Sequence, residues 1–146
     1  MVDNTGTFTR RLQRRAKNFE KNAGQLTSDV AQEMLIEVVL ATPADTGAAR
    51  SNWQVGINQA PGNELSPYAP GRKLGLGETG NANAAIAAGM SKILASTLGD
   101  TLFLVNNVPY IGKLNSGSSQ QAGAGFIERA FDRARKRVQR ARNLLG

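Results

Sequence analysis

Gly75, Gly77 and Gly80 follow the G-x-G-x-x-G spacing that cradles a pyrophosphate at a helix N-terminus, and an acidic residue, Asp100, stands 20 positions beyond Gly80. That chemistry needs a strand running into the glycines. Here Pro67, Pro70 and Gly71 precede them, and Asp100 opens the next strand-like run instead of closing one. The spacing is therefore read as a flexible loop. No other constellation offers bond chemistry. The 146 residues contain neither Cys nor His, which removes thiolate and imidazole nucleophiles, bases and metal ligands, and with them any Ser-His-Asp triad. The carboxylates of the middle of the chain, Asp29, Glu33, Glu37, Asp45, Glu64, Glu78 and Asp100, are scattered, with no cluster suited to a hard cation. No enzymatic activity, cofactor or metal is expected.

What stands out instead is positive charge at both ends. Residues 1–24 hold six Lys/Arg against two acids, residues 25–125 five against seven, and residues 126–146 seven against two, for a net +7. A near-neutral middle between cationic ends points to a polyanion or an acidic protein surface nearby. Arg10, Arg11, Arg14 and Arg15 at one end, and Arg133, Arg137 and Arg140 at the other, are the candidates to face DNA or a partner. The plainer reading is a solvated face, with Glu128 and Asp132 pairing to cations four residues on. No aromatic interleaves the exposed basic positions, and no helix-turn-helix or zinc-finger pattern occurs. Contact with nucleic acid would go to phosphates, independent of sequence. The apolar side of the first helix, rich in small Ala, suits packing better than an anionic membrane surface. No run of about 18 apolar residues exists, so no membrane partner is expected. The polar start, Met1 to Gly6, lacks a signal-peptide apolar core, and a site reached without secretion is expected.

The elements that must carry these residues follow from periodicity. Residues 1–7 read as a flexible arm, with Thr7 a cap for a helix beginning at Phe8. Phe8, Leu12, Ala16, Phe19, Ala23, Leu26 and Val30 recur at spacings of three and four. Gly24 marks a bend or a break. Val30 to Ala41 is apolar on more than one side, as in a buried helix. Pro43 stops it, and Asp45-Thr46-Gly47 makes a turn in which Asp45 accepts backbone N–H groups. Between Ala48 and Asn58, Trp53, Val55 and Ile57 alternate with polar residues, which predicts a half-buried strand with Trp53 in the core. Residues 59–80, with Pro61, Pro67 and Pro70, form a long central loop. A helix is expected over 81–98, burying Ala82, Ile86, Met90 or Gly89, Ile93 and Leu98. A strand follows from Asp100 to Val105, then a short helix or turn at 111–115, then a basic helix over 126–146. The sum is one α+β domain, residues 1–146: a small antiparallel sheet packed against a long N-terminal helix and further helices.

Between the second strand and the basic helix lies a connection of amides and small residues. Asn106, Asn107, Asn115 and Gln120 are expected to satisfy buried backbone groups, and Tyr110 to be a packed ring with its hydroxyl bonded. The stretch carries Asn106-Asn107-x-Pro109-Tyr110, then Leu114-Asn115-x-Gly117-x-Ser119-x-Gln121-Ala122, then Gly125-Phe126-Ile127-Glu128-x-Ala130. Upstream stands Thr42-Pro43-Ala44-Asp45-Thr46-Gly47, followed by Arg50, Ser51, Asn52 and Trp53. In order and approximate spacing the two blocks resemble the signature of the tail-completion, or neck, proteins of tailed bacteriophages. Ser116 and Ala122-Gly123 depart from that pattern.

The resemblance implies a structural virion protein that completes the tail and joins it to the DNA-filled head. It implies a homo-oligomeric ring around the DNA channel, of six or of twelve copies, located at the head–tail junction after assembly in the host cytoplasm. The implied partners are the head connector or adaptor and the tail tube or terminator, with non-specific contact to genomic DNA. A tail terminator ring, or a sequence-independent nucleic-acid-binding module using the basic helices, are the alternatives.

Overall fold

Leu35, Val38 and Val39 have no solvent-exposed surface, and the rest of the fold is wrapped round them. They belong to α1, Asn4–Ala41, a helix of 38 residues that is about 57 Å long at 1.5 Å per residue. The computed structural model describes residues 4–44, 47–69 and 78–145. Two further helices, α3 (Glu78–Ala95) and α5 (Phe126–Leu145), lie against α1. Ala82, Ala85 and Ile93 of α3 and Ala130 of α5 close over the α1 aliphatics. Ala82, Ala85 and Ala130 are among the most buried residues of this core, small side chains that leave room for neighbouring helices.

The remaining face is covered by a two-stranded antiparallel sheet, β1 (Trp53–Ile57) and β2 (Leu102–Asn106), in a register running from Trp53 opposite Asn106 to Ile57 opposite Leu102. Trp53 and Val55, two apart, point into the core as their alternation predicts. The ladder continues past the strand ends, where Asn58 N donates to Thr101 O at 2.7 Å. Asn58 and Asp100 then lock the corner: Asn58 Nδ2 donates to Asp100 Oδ1, and Thr101 N to Asn58 Oδ1, each at 2.8 Å. Asp100 also accepts Thr97 N, and these bonds hold its carboxyl below the ordinary carboxylate range. This is the α+β architecture expected from the sequence: a long N-terminal helix, further helices and a small antiparallel sheet.

Several boundaries differ from expectation. The arm predicted over 1–7 is helical from Asn4, while residues 1–3 lie outside the described residues. No proline blocks the extra turn, and a glycine at position 6 costs a helix only about 1 kcal/mol. The same small cost explains why Gly24, expected to bend or break the helix, interrupts nothing. Ala48–Ser51 is a short helix, α2, so the strand begins only at Trp53. α3 starts at Glu78, shortening the long loop, and ends at Ala95, leaving Leu98 exposed instead of buried. The glycine-spaced segment, including Gly75 and Gly77, and the Asp45-Thr46 half of the predicted turn lie outside the described residues.

The loop over 58–69 is irregular but well anchored. Asn52, fully buried, donates through Nδ2 to Leu65 O (2.8 Å) and accepts Leu65 N on Oδ1 (2.6 Å). Asn81, also buried, accepts Ser51 Oγ and Ala69 N on Oδ1 and donates to Ala69 O through Nδ2, at 2.7–2.8 Å. Among the described residues every buried side-chain polar atom has a partner, as a low-dielectric interior requires.

Candidate functional site

Some polar side chains of both motif blocks, Arg50 from one and Asn106 and Gln121 from the other, meet at a junction near the C-terminal end of α1, where the chain passes into α2. Helix α1 stops there because Pro43 follows, and at its end Thr42 N and Oγ1 both donate to Val38 O, at 3.1 and 2.6 Å. Trp53 Nε1 donates to Thr42 Oγ1 at 2.8 Å, tying the core tryptophan to the same cap. Arg50 donates through Nε to Thr42 O at 2.8 Å and through Nη2 to Leu40 O at 3.3 Å. A guanidinium on the last carbonyls of a helix satisfies orphan acceptors and meets the negative end of the helix dipole. Pro43 is buried just beyond. Gly47 then enters α2 at φ 79°, with its Cα facing Asn81 so closely that an added Cβ would lie 2.2 Å from Asn81 Nδ2. Position 47 therefore demands glycine twice, for backbone sign and for space.

The downstream block reaches this junction through its amides. Gln121 Oε1 accepts Ala44 N at 2.9 Å, across 77 positions of sequence. Asn106 Nδ2 donates to Ala49 O at 2.7 Å, while its Oδ1 accepts Val108 N at 3.2 Å. Asn107 Nδ2 donates to Pro61 O and Asn63 O, at 2.9 and 3.0 Å, fastening the long loop to the end of β2. Ile111–Asn115 forms α4, as the sequence suggested. Its last residue, Asn115, is a staple to α5: its carbonyl accepts Gly125 N at 2.6 Å, its Oδ1 accepts Ile127 N at 3.0 Å, and its Nδ2 donates to both oxygens of Glu128 at 2.9 Å. Gly117 lies against Ala124 across the intervening turn. Ser119 Oγ accepts Gln121 N at 3.1 Å.

Pro43, Gly47, Ala49, Tyr110, Leu114, Ser118 and Ser119 enclose an open cleft of about 460 Å³ between the two blocks. Tyr110 stands at 38% exposure, and among the described residues its hydroxyl has no hydrogen-bond partner. The packed, bonded ring expected at position 110 is thus corrected, because α4 turns the residue outward at its N-terminal edge. Pro109 is exposed beside it. Gln120, expected to satisfy backbone, is exposed and makes no such bond among the described residues; Gln121 does that work. Alternation along an irregular turn offers no rule for choosing between adjacent glutamines.

Glu128 sits in the first turn of α5 with its carboxyl below the ordinary range, chiefly because the Asn115 amide donates to the charged form. The folded state prefers the carboxylate, so the unfolded chain binds more protons, and this contribution is present above the usual Glu pKa and fades as pH falls through the folded one. Asn115→Ala is expected to move the Glu128 titration back up toward the ordinary Glu value. Carbon-detected NMR titration of Glu128 checks this; an unmoved midpoint would mean that the amide is not its cause.

The cations divide into two groups. On α5 they are largely engaged. Arg133 pairs with Glu37 at 3.0 Å, and Arg137 with Glu37 at 2.8 Å and with Glu33 at 3.3 Å. Asp132 pairs with Arg135 and Lys136, and both donate to it, holding its carboxyl below the ordinary range. Arg129 donates to Ala124 O and Gly123 O. Arg133 and Arg137, predicted to face DNA or a partner, pair with carboxylates of α1 while their side chains stay 48% and 59% exposed. The spacing of Glu33 and Glu37, four apart like Arg133 and Arg137, was the available signal. Asp132 pairs four residues on as expected, whereas Glu128 goes to Asn115. Among the described residues no ion pair involves Arg140, Arg10, Arg11, Arg14 or Arg15.

Chemically, the junction is a set of amides and hydroxyls spent on backbone, framing a cleft with one outward aromatic. Among the described residues no acidic group is arranged to hold a metal ion, and no helix is long and apolar enough to cross a membrane. Comparison with protein-family models, with curated proteins and with solved structures finds no match.

Proposed function

We propose that the chain is a structural component of a tailed-phage particle, completing the tail and joining it to the head as a ring of identical copies around the DNA channel. The observation that carries this is the meeting of the two motif blocks. Ala44 and Gln121, 77 positions apart and one in each block, are joined by a direct hydrogen bond, and other residues of both blocks, Pro43 and Gly47 from one and Tyr110, Leu114 and Ser119 from the other, line a common cleft. Such side chains are spent on holding a shape, which is what an assembly unit needs.

The sheet adds support for side-by-side association. The bond from Asn58 to Thr101 sets the alternation of the antiparallel ladder, so the main-chain groups of Leu102, Leu104 and Asn106 point away from β1. Two strands alone are marginal, and an open edge of this kind pairs readily with another chain. In the ring, this edge and the anchored loop over 58–69 face neighbouring copies, while the two rims face the head connector and the tail tube. Inactivating the gene in the phage that carries it is expected to leave separate heads and unjoined or incomplete tails by electron microscopy. Normal, infectious particles in that mutant would overturn the proposal.

A further inference from the structure

The ion pairs between α5 and α1 fix where α1 leaves the body of the protein. Arg133 meets Glu37 and Arg137 meets Glu33, so α5 runs antiparallel to α1. Its last turns lie beside Leu26 and Val30, which share a surface recess with Val138, Gln139, Arg142 and Asn143. Near the end of α3, a Cβ added at Gly24 would stand 3.8 Å from Leu98. N-terminal to that level α1 continues without a neighbour among the described residues: positions 7, 9–18 and 22 are all exposed. Residues 4–23 therefore form a projecting rod about 30 Å long.

That rod carries six Lys/Arg and one acid. Arg10, Arg14 and Lys17 fall at i, i+4 and i+7, one stripe of the helix, with Arg11 and Arg15 flanking it. Leu12, which is 50% exposed, and Ala16 lie on the opposite side. The basic stripe holds no apolar residue, with Gln13 and Asn18 beside it. Protein interfaces place apolar and aromatic side chains at their centre and deplete it of charge, so this stripe does not suit a folded protein partner. It suits a continuous line of phosphates, to which four guanidinium forks bring paired hydrogen bonds. The contrast with α5, whose cations are mostly tied to carboxylates of the same chain, singles out the arm.

We propose that residues 4–23 are a docking arm for the phosphate backbone of duplex DNA, gripped through Arg10, Arg11, Arg14, Arg15 and Lys17 without regard to sequence. The arm acts on the purified chain whatever its place in a particle, so this inference and the particle role can fail separately. The test is a salt titration of the full chain binding a 30-base-pair duplex of random sequence, with poly-glutamate as the competing polyanion. Binding is expected to weaken steeply with salt. The variant carrying Arg10→Gln, Arg11→Gln, Arg14→Gln and Arg15→Gln should flatten the log–log slope by about 3.6, at about 0.9 per phosphate contact. Arg140→Gln with Arg142→Gln should change it by less than half as much. Because the arm projects, the fourfold variant should keep its melting temperature. No binding at low salt, an unchanged slope, a larger effect from the α5 variant, tighter binding to poly-glutamate, or a melting temperature lowered with the arm charges removed would each overturn the inference.

Discussion

Trp53→Ala is expected to lower stability by about 3–5 kcal/mol, the range for deleting a large aromatic from a core. At 2–4 °C per kcal/mol for a chain of this size, that is roughly 6–20 °C in melting temperature. Two losses combine. The indole is 5% exposed and packs with Leu35, Val38 and Val39 of α1 and with Val55, so its removal leaves a cavity where the sheet meets the long helix. Its Nε1–H also holds the hydroxyl of Thr42, at the end of α1. Trp53→Phe separates the two, since it keeps most of the packing and drops the hydrogen bond, and about 1–2 kcal/mol is expected. Equal melting temperatures for wild type and Trp53→Ala would remove Trp53 from the core.

Gly56→Ala is expected to be similarly severe, about 3 kcal/mol or more, although only one methyl is added. Gly56 lies in β1 opposite Phe103, and the chain leaving the strand doubles back across it. A Cβ there would stand 2.0 Å from Gln59 O and 2.7 Å from Pro61 Cδ. Ordinary overpacking costs about 1–3 kcal/mol because side chains move aside. At this position the obstacle is main chain, held by Asn107 on Pro61 O and by Asn52 on Leu65. Either the strand or the loop must give. Denaturant melts read the loss, and faster proteolysis within residues 58–69 would show that the loop is what yields. A variant as stable and as protease-resistant as wild type would mean that the loop does not lie across the strand.

Much of this fold is written in local pattern. Apolar residues on several sides of Val30 to Ala41 announce an enclosed helix, and Leu35, Val38 and Val39 are its centre. Alternation about Trp53 and Val55 announces a strand with one buried face. The spacing of Ala130, Ala134 and Val138 announces the packed stripe of α5. Distance in sequence hides the rest. The turn of helix at Ala48–Ser51 depends on Gly47 fitting against Asn81, which local propensity does not register. Arg133 and Arg137 look solvent-bound until Glu37 and Glu33 arrive from 96 and 104 positions away. Leu98 continues an apolar period but falls beyond the end of its helix.

The junction was legible only in part. Composition marks the stretch from Asn106 to Gly125 as a connection braced by amides, and the bonds of Asn106, Asn107 and Asn115 bear that out. Nothing in it says that Gln121 will reach Ala44, or that Tyr110 will turn outward. The Asp45-Thr46 pair, part of the upstream block, lies outside the described residues.

An image reconstruction of the intact particle bears most directly on the central claim, that copies of this chain act together as a built ring between head and tail. The proposal predicts density for α1, α5 and the two-stranded sheet repeated six or twelve times at the head–tail junction. A junction fully accounted for by other proteins, with this chain missing from purified particles, would contradict it.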